Sequence, residues 1–203
     1  MSQPPVRATV QDVLRDRARQ NPPLWTALRA DALAAKRSLT GTACAPSGGR
    51  TVWLGLSMLW QADGFLGLAL CRAATRLRGS GVPVLPTFLR RLAMLAGQVH
   101  IGAPVILEPG ILLPHGQVVI DGLVRVGSGA IIRPFVTIGL TEGDYTGPTI
   151  GARARVGTGA KILGPVLIGK DVKIGANAVV ICDVPDGATV VGVPGRVLPA
   201  VLN

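Results

Sequence analysis

Residues 150–175 read IGARARVGTGAKILGPVLIGKDVKIG, and an aliphatic residue returns at every sixth position of this stretch. The repeating residues are Ile150, Val156, Ile162, Ile168 and Ile174, and Gly follows each of them except Ile162. A period of six matches neither the roughly 3.6 residues of an α-helix nor the roughly 2 residues of a β-strand. It therefore predicts a supersecondary unit in which each six-residue segment forms one flat side of a coil.

The same period extends from about Ile101 to about Val180. In a triangular coil the aliphatic residue points to the axis, a short strand forms each side, and small residues allow the backbone to turn at each corner. A single turn cannot bury its own aliphatic residues, so stacked turns must close the core. We expect residues 99–203 to form such a parallel β-helix, closed near the C-terminus by a strand within residues 190–196.

The period has two irregularities. The spacing slips by one residue between Leu113 and Val126, and Asp144 stands where an aliphatic residue is due between Ile138 and Ile150. Because residues 140–147 are polar and contain Gly, they cannot fill the axis, so we expect them to leave one edge as a loop. Loops on one face of a solenoid often form its binding surface.

Residues 1–98 carry a helical pattern instead. We predict helices within residues 9–38, broken at Pro22-Pro23, and over residues 52–77 and 86–95. The predicted fold class is α+β, with this N-terminal α-helical cap followed by the β-helix.

The positive charge is concentrated in the cap. The chain has a formal net charge of +10, and residues 1–99 hold 13 basic and 4 acidic side chains. Such a segment suits nucleic acid, an anionic membrane surface, an acidic partner or simply a solvated Arg-rich face. We expect no nucleic-acid binding, because the basic residues are dispersed and are not interleaved with aromatic residues in a regular pattern.

The apolar run at residues 51–60 is too short to span a bilayer, and Gln61 and Asp63 separate it from residues 65–71. We predict a buried helix pair here, and peripheral membrane contact through Trp53 and Trp60 is the alternative. The three cysteines have neither disulfide nor zinc-ligand spacing, and no signal-like leader opens the chain. Both observations favour the cytoplasm.

Only two histidines are present, His100 and His115. His115 follows the inward residue Leu113 by two positions, so we expect its side chain to point outward near a corner. Imidazole is the side chain best suited to take a proton from an alcohol that attacks a thioester. The alternative is an ordinary surface histidine.

Several segments carry a family resemblance: LRAD at 28–31, the cap helices between residues 64 and 95, LPHG at 113–116, GAKILG at 159–164 and GVPGR at 192–196. The chain resembles the serine O-acetyltransferases and their relatives among the left-handed β-helix, hexapeptide-repeat acyltransferases. The closing GVPGR motif identifies only the superfamily, and the cap together with His115 is more specific.

The resemblance implies direct transfer of acetyl from acetyl-CoA to a hydroxyl, with His115 as the general base and no metal. It also implies a homotrimer, or a hexamer of two trimers, in which coenzyme A lies between neighbouring coils. The positions that match its binding residues are Thr158, Ala160, Lys161, Lys173 and Ala176. Two other hypotheses are a non-catalytic trimeric scaffold and a carbonic-anhydrase-like metal site, although the latter needs more histidines than one chain supplies.

Three departures from the family pattern concern the acceptor side. His100 stands where serine acetyltransferases have the aspartate that orients the base, so either another carboxylate, Glu108 or Asp121, substitutes or the base works without one. Pro114 replaces an aspartate near the substrate's amino group. The loop at 142–148, EGDYTGP, lacks the Arg-His-Pro segment that holds a carboxylate.

These departures leave the acceptor open. Arg133 on the preceding coil is either a substitute cation for a carboxylate or a plain surface residue, and Tyr145 is a candidate acceptor-binding residue within the loop. The predicted acceptor is serine or a serine-like molecule. The alternative is a hydroxyl of a sugar or of a specialised metabolite.

Overall fold

A computed structural model describes residues 10–41, 50–144 and 146–198 of the chain. Helices occupy the first part of the described chain: α1 (Val10–Arg19), α2 (Leu24–Thr40), α3 (Arg50–Gln61), α4 (Asp63–Gly79) and α5 (Leu85–Gly97). The first break falls at Pro22-Pro23, as predicted. Residues 52–77 form two helices, as the interruption at Gln61 and Asp63 predicts, and the helices separate where Ala62 takes an extended conformation with φ −124° and ψ 101°.

Short strands follow α5 without a linker. They are β1 (Val99–Ile101), β2 (Ile106–Leu107), β3 (Val118–Ile120), β4 (Leu123–Val126), β5 (Ile131–Ile132), β6 (Thr137–Gly139), β7 (Thr146–Ile150), β8 (Arg155–Val156), β9 (Lys161–Leu163), β10 (Leu167–Ile168), β11 (Lys173–Ile174), β12 (Val179–Val180), β13 (Thr189–Val191) and β14 (Arg196–Val197).

The strands form three sheets, which are the three sides of a parallel coil. Face A contains β1, β3, β6, β9 and β12, face B contains β2, β4, β7 and β10, and face C contains β5, β8, β11, β13 and β14. The chain visits the faces in the order A, B, C, so each turn has a C–A edge, an A–B edge and a B–C edge. Pairing within the sheets is parallel except between β13 and β14. The predicted helical cap and β-helix are therefore confirmed.

The aliphatic repeat fills the axis of the coil. The residues that set the period, such as Ile132, Ile138, Ile150, Val156 and Ile162, are at most 1% exposed. Burying each such side chain stabilises the fold by about 1.5–3 kcal/mol. The inward direction inferred from the sequence is thus the observed one.

The two ends of the coil are closed in different ways. At the first turn Leu68, Cys71 and Ala93 of α4 and α5 join the same core as Val99 and Ile101. At the last turn β14 folds back antiparallel on β13, so the predicted closing strand is in fact two strands joined by a turn. Both devices cover apolar core or strand edge that would otherwise be exposed.

A second cluster packs α2, α3 and α4 against Leu112 on the outside of face C. Leu54 and Met58 of α3 belong to it and are buried. The prediction of a buried helix pair over residues 51–71 is nevertheless wrong for the other side of α3, since Trp53 is 74% exposed and Trp60 is 92% exposed.

One buried ion pair fastens the cap to the coil. Arg72 of α4 donates from Nε to Asp31 Oδ2 at 2.5 Å and from Nη2 to Asp31 Oδ1 at 3.1 Å. Asp31 Oδ1 also accepts the backbone N–H groups of Gly110 and Ile111 at 2.8 and 2.9 Å. Burial raises the pKa of the Asp31 carboxyl, while Arg72 and these two donors oppose that effect. The pair fixes α2 and α4 to the segment that leads to His115.

Candidate active site

His115 lies at a C–A edge, between Leu112 on face C and β3 on face A, and its side chain is exposed. The chain takes seven steps from Leu112 to Val119 but only six from Ile131 to Thr137, which stack on them in the next coil. The corner that carries His115 therefore contains one extra residue. This is the origin of the one-residue slip in the sequence period.

Two glycines allow the cap to touch this corner. A Cβ on Gly64, in the first turn of α4, would lie 2.3 Å from the carbonyl oxygen of Leu113 and 2.8 Å from that of His115. A Cβ on Gly116 would lie 2.0 Å from the carbonyl oxygen of Gly97. Real Cβ atoms do not approach so closely, so the corner is held by backbone contacts that only glycine permits. Sequence reasoning did not single out these positions, although a Gly beside the candidate base was a usable signal.

The same edge continues over three further coils and carries Arg133 and two of the five predicted coenzyme A positions. Arg133 follows on the next coil, Thr158 on the one after, and Ala176 on the last, and all three are exposed. Backbone bonds from Gly159 to Pro134 and from Asn177 to Thr158 join these corners at 2.9 and 2.8 Å. Since stacked strands are about 4.8 Å apart, Thr158 and Ala176 lie roughly 10 and 14 Å along the edge from His115.

The remaining predicted coenzyme A positions border this edge in different ways. Lys161 is on face A, where its Nζ donates to the carbonyl oxygen of Phe135 at 2.6 Å and to Thr137 Oγ1 at 3.1 Å. Lys173 is exposed on face C, paired in register with Arg155. Ala160 is fully buried, so its side chain packs in the axis and is not presented to a ligand.

A cavity of about 450 Å³ opens on face A beside the His115 edge. Its lining comes from the end of α5, the edge itself and the outer side of face A: Met94, Gln98, Gln117, Val119, Phe135, Val136, Thr137 and Lys161. His100 is on the same face, in register with Val119, and half-buried. The predicted base and the histidine that stands at the family's aspartate position thus lie at the same end of the coil.

The two carboxylates considered as partners of His115 lie at the other edges of the same chain. Glu108 is at a B–C edge, where its Oε1 accepts a hydrogen bond from Arg125 at 3.1 Å. Asp121 is at an A–B edge, where its Oδ1 accepts the N–H of Gly122 at 2.8 Å. The structure therefore does not bring either carboxylate to His115 within one chain, because each is one side of the triangle away.

The predicted loop also leaves from an A–B edge. β6 ends at Gly139 and β7 begins at Thr146, so the loop is shorter than the predicted 140–147. Glu142 and Gly143 are exposed, and Asp144 Oδ1 accepts the N–H of Thr146 at 2.8 Å. Tyr145 lies outside the described residues. Since the A–B and C–A edges are opposite margins of face A, the described loop residues, 140–144, do not meet His115 within one chain.

Comparison with known proteins shows which proteins the chain resembles. Residues 147–182 match the family described as bacterial transferase hexapeptide (six repeats), a range that includes Thr158 and Ala176 but not His115. The serine acetyltransferase of Synechococcus elongatus is 42% identical over 148 residues, which cover 71% of this chain and 60% of that enzyme. The serine acetyltransferase of Helicobacter pylori is 46% identical over 99 residues, which cover 47% of this chain and 56% of that enzyme.

The chain is similar to serine acetyltransferases, and part of it matches the hexapeptide-repeat family. Its fold matches Neisseria gonorrhoeae serine acetyltransferase, solved in complex with serine, with a TM-score of 0.71 and 26% identity over 92% of this chain and 82% of that one. It also matches a serine acetyltransferase in complex with CoA, with a TM-score of 0.72 and 26% identity over 92% and 74% of the two chains. The coil is thus a left-handed β-helix. This serine acetyltransferase-like chain spans about 60% or less of the curated relatives' length given above.

Within residues 10–41, 50–144 and 146–198, no group of three or more His, Cys, Asp or Glu side chains is placed to hold a metal ion. Over the same ranges, none of the helices has the length and apolar character needed to cross a bilayer. Cys71 is buried and Cys182 is exposed, and both are free thiols.

Proposed function

We propose that the chain is an acetyl-CoA-dependent O-acetyltransferase in which His115 is the general base. The observation that carries the proposal is that His115 is exposed on the same edge as Thr158 and Ala176, in a chain whose relatives are serine acetyltransferases. Small side chains at those corners leave room for the pantetheine arm beside the backbone. Lys161 and Lys173, on the two adjoining faces, are the cations that would meet its phosphates.

The chemistry is one direct transfer. As the acceptor hydroxyl attacks the acetyl carbonyl carbon, His115 accepts the hydroxyl proton, and a carbon–oxygen bond forms. The tetrahedral intermediate collapses as the carbon–sulfur bond breaks, and the imidazolium returns the proton to the leaving thiolate of coenzyme A. The coil supplies position and proton transfer, so no covalent acyl-enzyme is required.

The complete site requires a second copy of the chain. The loop at the A–B edge reaches a C–A edge only if a neighbouring copy packs along face A. This face presents exposed apolar side chains for such contact, with Val119 41% and Phe135 55% exposed, and Leu95 of α5 next to it is 83% exposed. We therefore propose a homotrimer as the active form, and a hexamer formed through the caps remains the alternative. Because acetyl-CoA is the donor, we place the protein in the cytoplasm.

Serine is the first acceptor to test, since it is the acceptor named for the relatives and is bound in the Neisseria gonorrhoeae structure. A second candidate is a sugar or specialised-metabolite hydroxyl. Pro114 offers no partner to an ammonium group, and the described part of the loop has no cation for a carboxylate. If serine is the acceptor, Arg133 is the cation on the same edge that would hold its carboxylate.

The test is release of coenzyme A thiol from acetyl-CoA in the presence of serine, other hydroxy amino acids and a set of sugars. We expect His115→Asn to lower acceptor-dependent turnover by about 10²–10⁴-fold, with unchanged oligomeric mass and unfolding midpoint. Lys170→Gln, an exposed substitution near the B–C edge, is the matched control and should retain full activity. Equal turnover by wild type and His115→Asn would refute the role of His115, and no turnover with any acceptor would favour the scaffold hypothesis.

A further inference from the structure

The helical cap displays all three tryptophans of the chain to solvent. Trp25 is 76%, Trp53 is 74% and Trp60 is 92% exposed. On α3, Trp53, Leu56 and Trp60 are spaced i, i+3 and i+7, so they form one outward stripe. On α2, Trp25, Arg29 and Lys36 are spaced i, i+4 and i+11 and share a face. We call these six residues the tryptophan surface.

An apolar groove joins the two helices within this surface. It has a volume of about 350 Å³ and lies between α2, α3 and α4. Its lining consists of Trp25, Leu28, Arg29, Ala32, Gly55, Leu56, Leu59, Phe65 and Ala69. Three tryptophans alone present roughly 500 Å² of largely apolar area, which is as large as the largest patch on a typical monomer and marks an interaction site.

The charges around the groove have one sign. Among the described side chains of α2 and α3, those that carry a charge and reach solvent are Arg29, Lys36 and Arg37. The one carboxylate on these two helices, Asp31, is 1% exposed and bonded to Arg72. A partner for this surface must therefore be both apolar and anionic.

We propose that the tryptophan surface docks onto an anionic lipid bilayer. Indole rings favour the headgroup level because the ring is apolar and its N–H needs a polar partner. Arg29 and Lys36 would lie against lipid phosphates, and the groove accepts acyl-chain carbons. This is the geometry of a surface-bound amphipathic helix, with its apolar side about 5–10 Å into the headgroup boundary.

A second copy of the chain fits this surface less well. A two-fold interface places the same patch on both subunits. Each copy would then bring Arg29 and Lys36 into the shared interface, with no exposed carboxylate among the described side chains of α2 and α3 to compensate these charges. A bilayer that contains acidic lipid supplies the missing negative charge, so the charge pattern favours lipid over self-association.

Tryptophan emission tests the proposal directly, because every tryptophan of the chain belongs to the surface. The full chain is mixed with vesicles of phosphatidylcholine alone or of phosphatidylcholine with phosphatidylglycerol. We expect a blue shift of the emission and co-sedimentation with the anionic vesicles, and much weaker binding to the neutral ones. Brominated acyl chains in the anionic vesicles should quench the emission.

Substitutions distinguish vesicle binding through the tryptophan surface from non-specific binding through other exposed apolar side chains. Trp53→Ser with Trp60→Ser should lower the vesicle partition coefficient by more than about tenfold, and Arg29→Gln by about fivefold. The matched control is Leu167→Ser with Ile181→Ser, which removes two apolar side chains of the coil that are 59% and 56% exposed. The control should bind vesicles as wild type does.

Two results would overturn the proposal. One is unchanged emission and no co-sedimentation with anionic vesicles. The other is that, without any vesicles, the tryptophans are already shielded from a soluble quencher and the Trp53→Ser with Trp60→Ser variant has a smaller oligomeric mass than wild type. That second result would assign the surface to contact between copies of the chain. Neither lipid docking nor contact between copies depends on whether the protein transfers acetyl to a small acceptor.

Discussion

Within residues 10–41, 50–144 and 146–198, two Arg–Asp pairs have nearly the same bidentate geometry and very different burial. In the Arg72–Asp31 pair the closest contact is 2.5 Å and the side chains are 5% and 0% exposed. In the Arg153–Asp171 pair the closest contact is also 2.5 Å, but the side chains are 61% and 51% exposed. We predict that Asp31→Asn is strongly destabilising and that Asp171→Asn is nearly neutral.

The loss of stability depends on whether the arginine that each substitution leaves unpaired is buried or exposed to water. Asp31→Asn keeps the shape of the side chain but leaves the Arg72 guanidinium buried without a counter-charge, which costs about 3–5 kcal/mol. A chain of this size loses about 2–4 °C of its unfolding midpoint per kcal/mol, so the midpoint should fall by roughly 6–20 °C. Around Arg153 water replaces the lost carboxylate, and the midpoint should stay close to that of wild type.

The assay is thermal and denaturant unfolding of both variants at one protein concentration. Arg72→Met and the double variant Asp31→Asn with Arg72→Met complete a cycle. Because removing the cation also removes the uncompensated charge, the double variant should be destabilised by less than the sum of the two single variants. Equal midpoints for Asp31→Asn and Asp171→Asn would refute the argument that burial decides the value of these pairs.

Two further predictions concern the His115 edge. Gly116→Ala should lower both the unfolding midpoint and turnover, because the added Cβ would lie 2.0 Å from the Gly97 carbonyl oxygen and overpacking costs about 1–3 kcal/mol. Gly55→Ala, which meets no atom within 4 Å in a helix, is its control and should raise stability by about 0.5–1 kcal/mol. Arg133→Gln should raise KM for serine by about tenfold or more, with less effect on a neutral sugar acceptor. Equal effects on both acceptors would remove Arg133 from carboxylate binding.

The coil could be predicted in detail from the sequence because one residue in six must fill the axis. This period predicts directly that the side chains of Ile150, Val156 and Ile162 point inward. The slip between Leu113 and Val126 was also visible, and the structure assigns it to the extra residue at the His115 corner. The length of each side and the aliphatic residue that fills the axis decide these features, so they are encoded locally.

Less of the cap than of the coil could be predicted from the sequence. Its apolar runs predicted helices, but apolar character does not say what covers a side chain, and Trp53 and Trp60 face solvent although we expected a buried pair. Asp31 belongs to the LRAD segment, but the sequence did not indicate its ion pair, since its partner Arg72 is 41 positions away and its other donors, Gly110 and Ile111, come from the coil. Such contacts depend on how elements dock and leave no local pattern.

On a three-sided coil, residues that are close in sequence often lie at different edges. Glu108 and Asp121 are the carboxylates closest to His115 in sequence, at seven and six positions, and for that reason they were the candidate partners. Six residues carry the chain to the next edge, whereas about eighteen return it to the same one, where Arg133 stands. Neighbours of a site on this fold should therefore be sought one turn away. By that rule the residue that stacks on the His115 corner in the next coil is Arg133, and not Glu108 or Asp121.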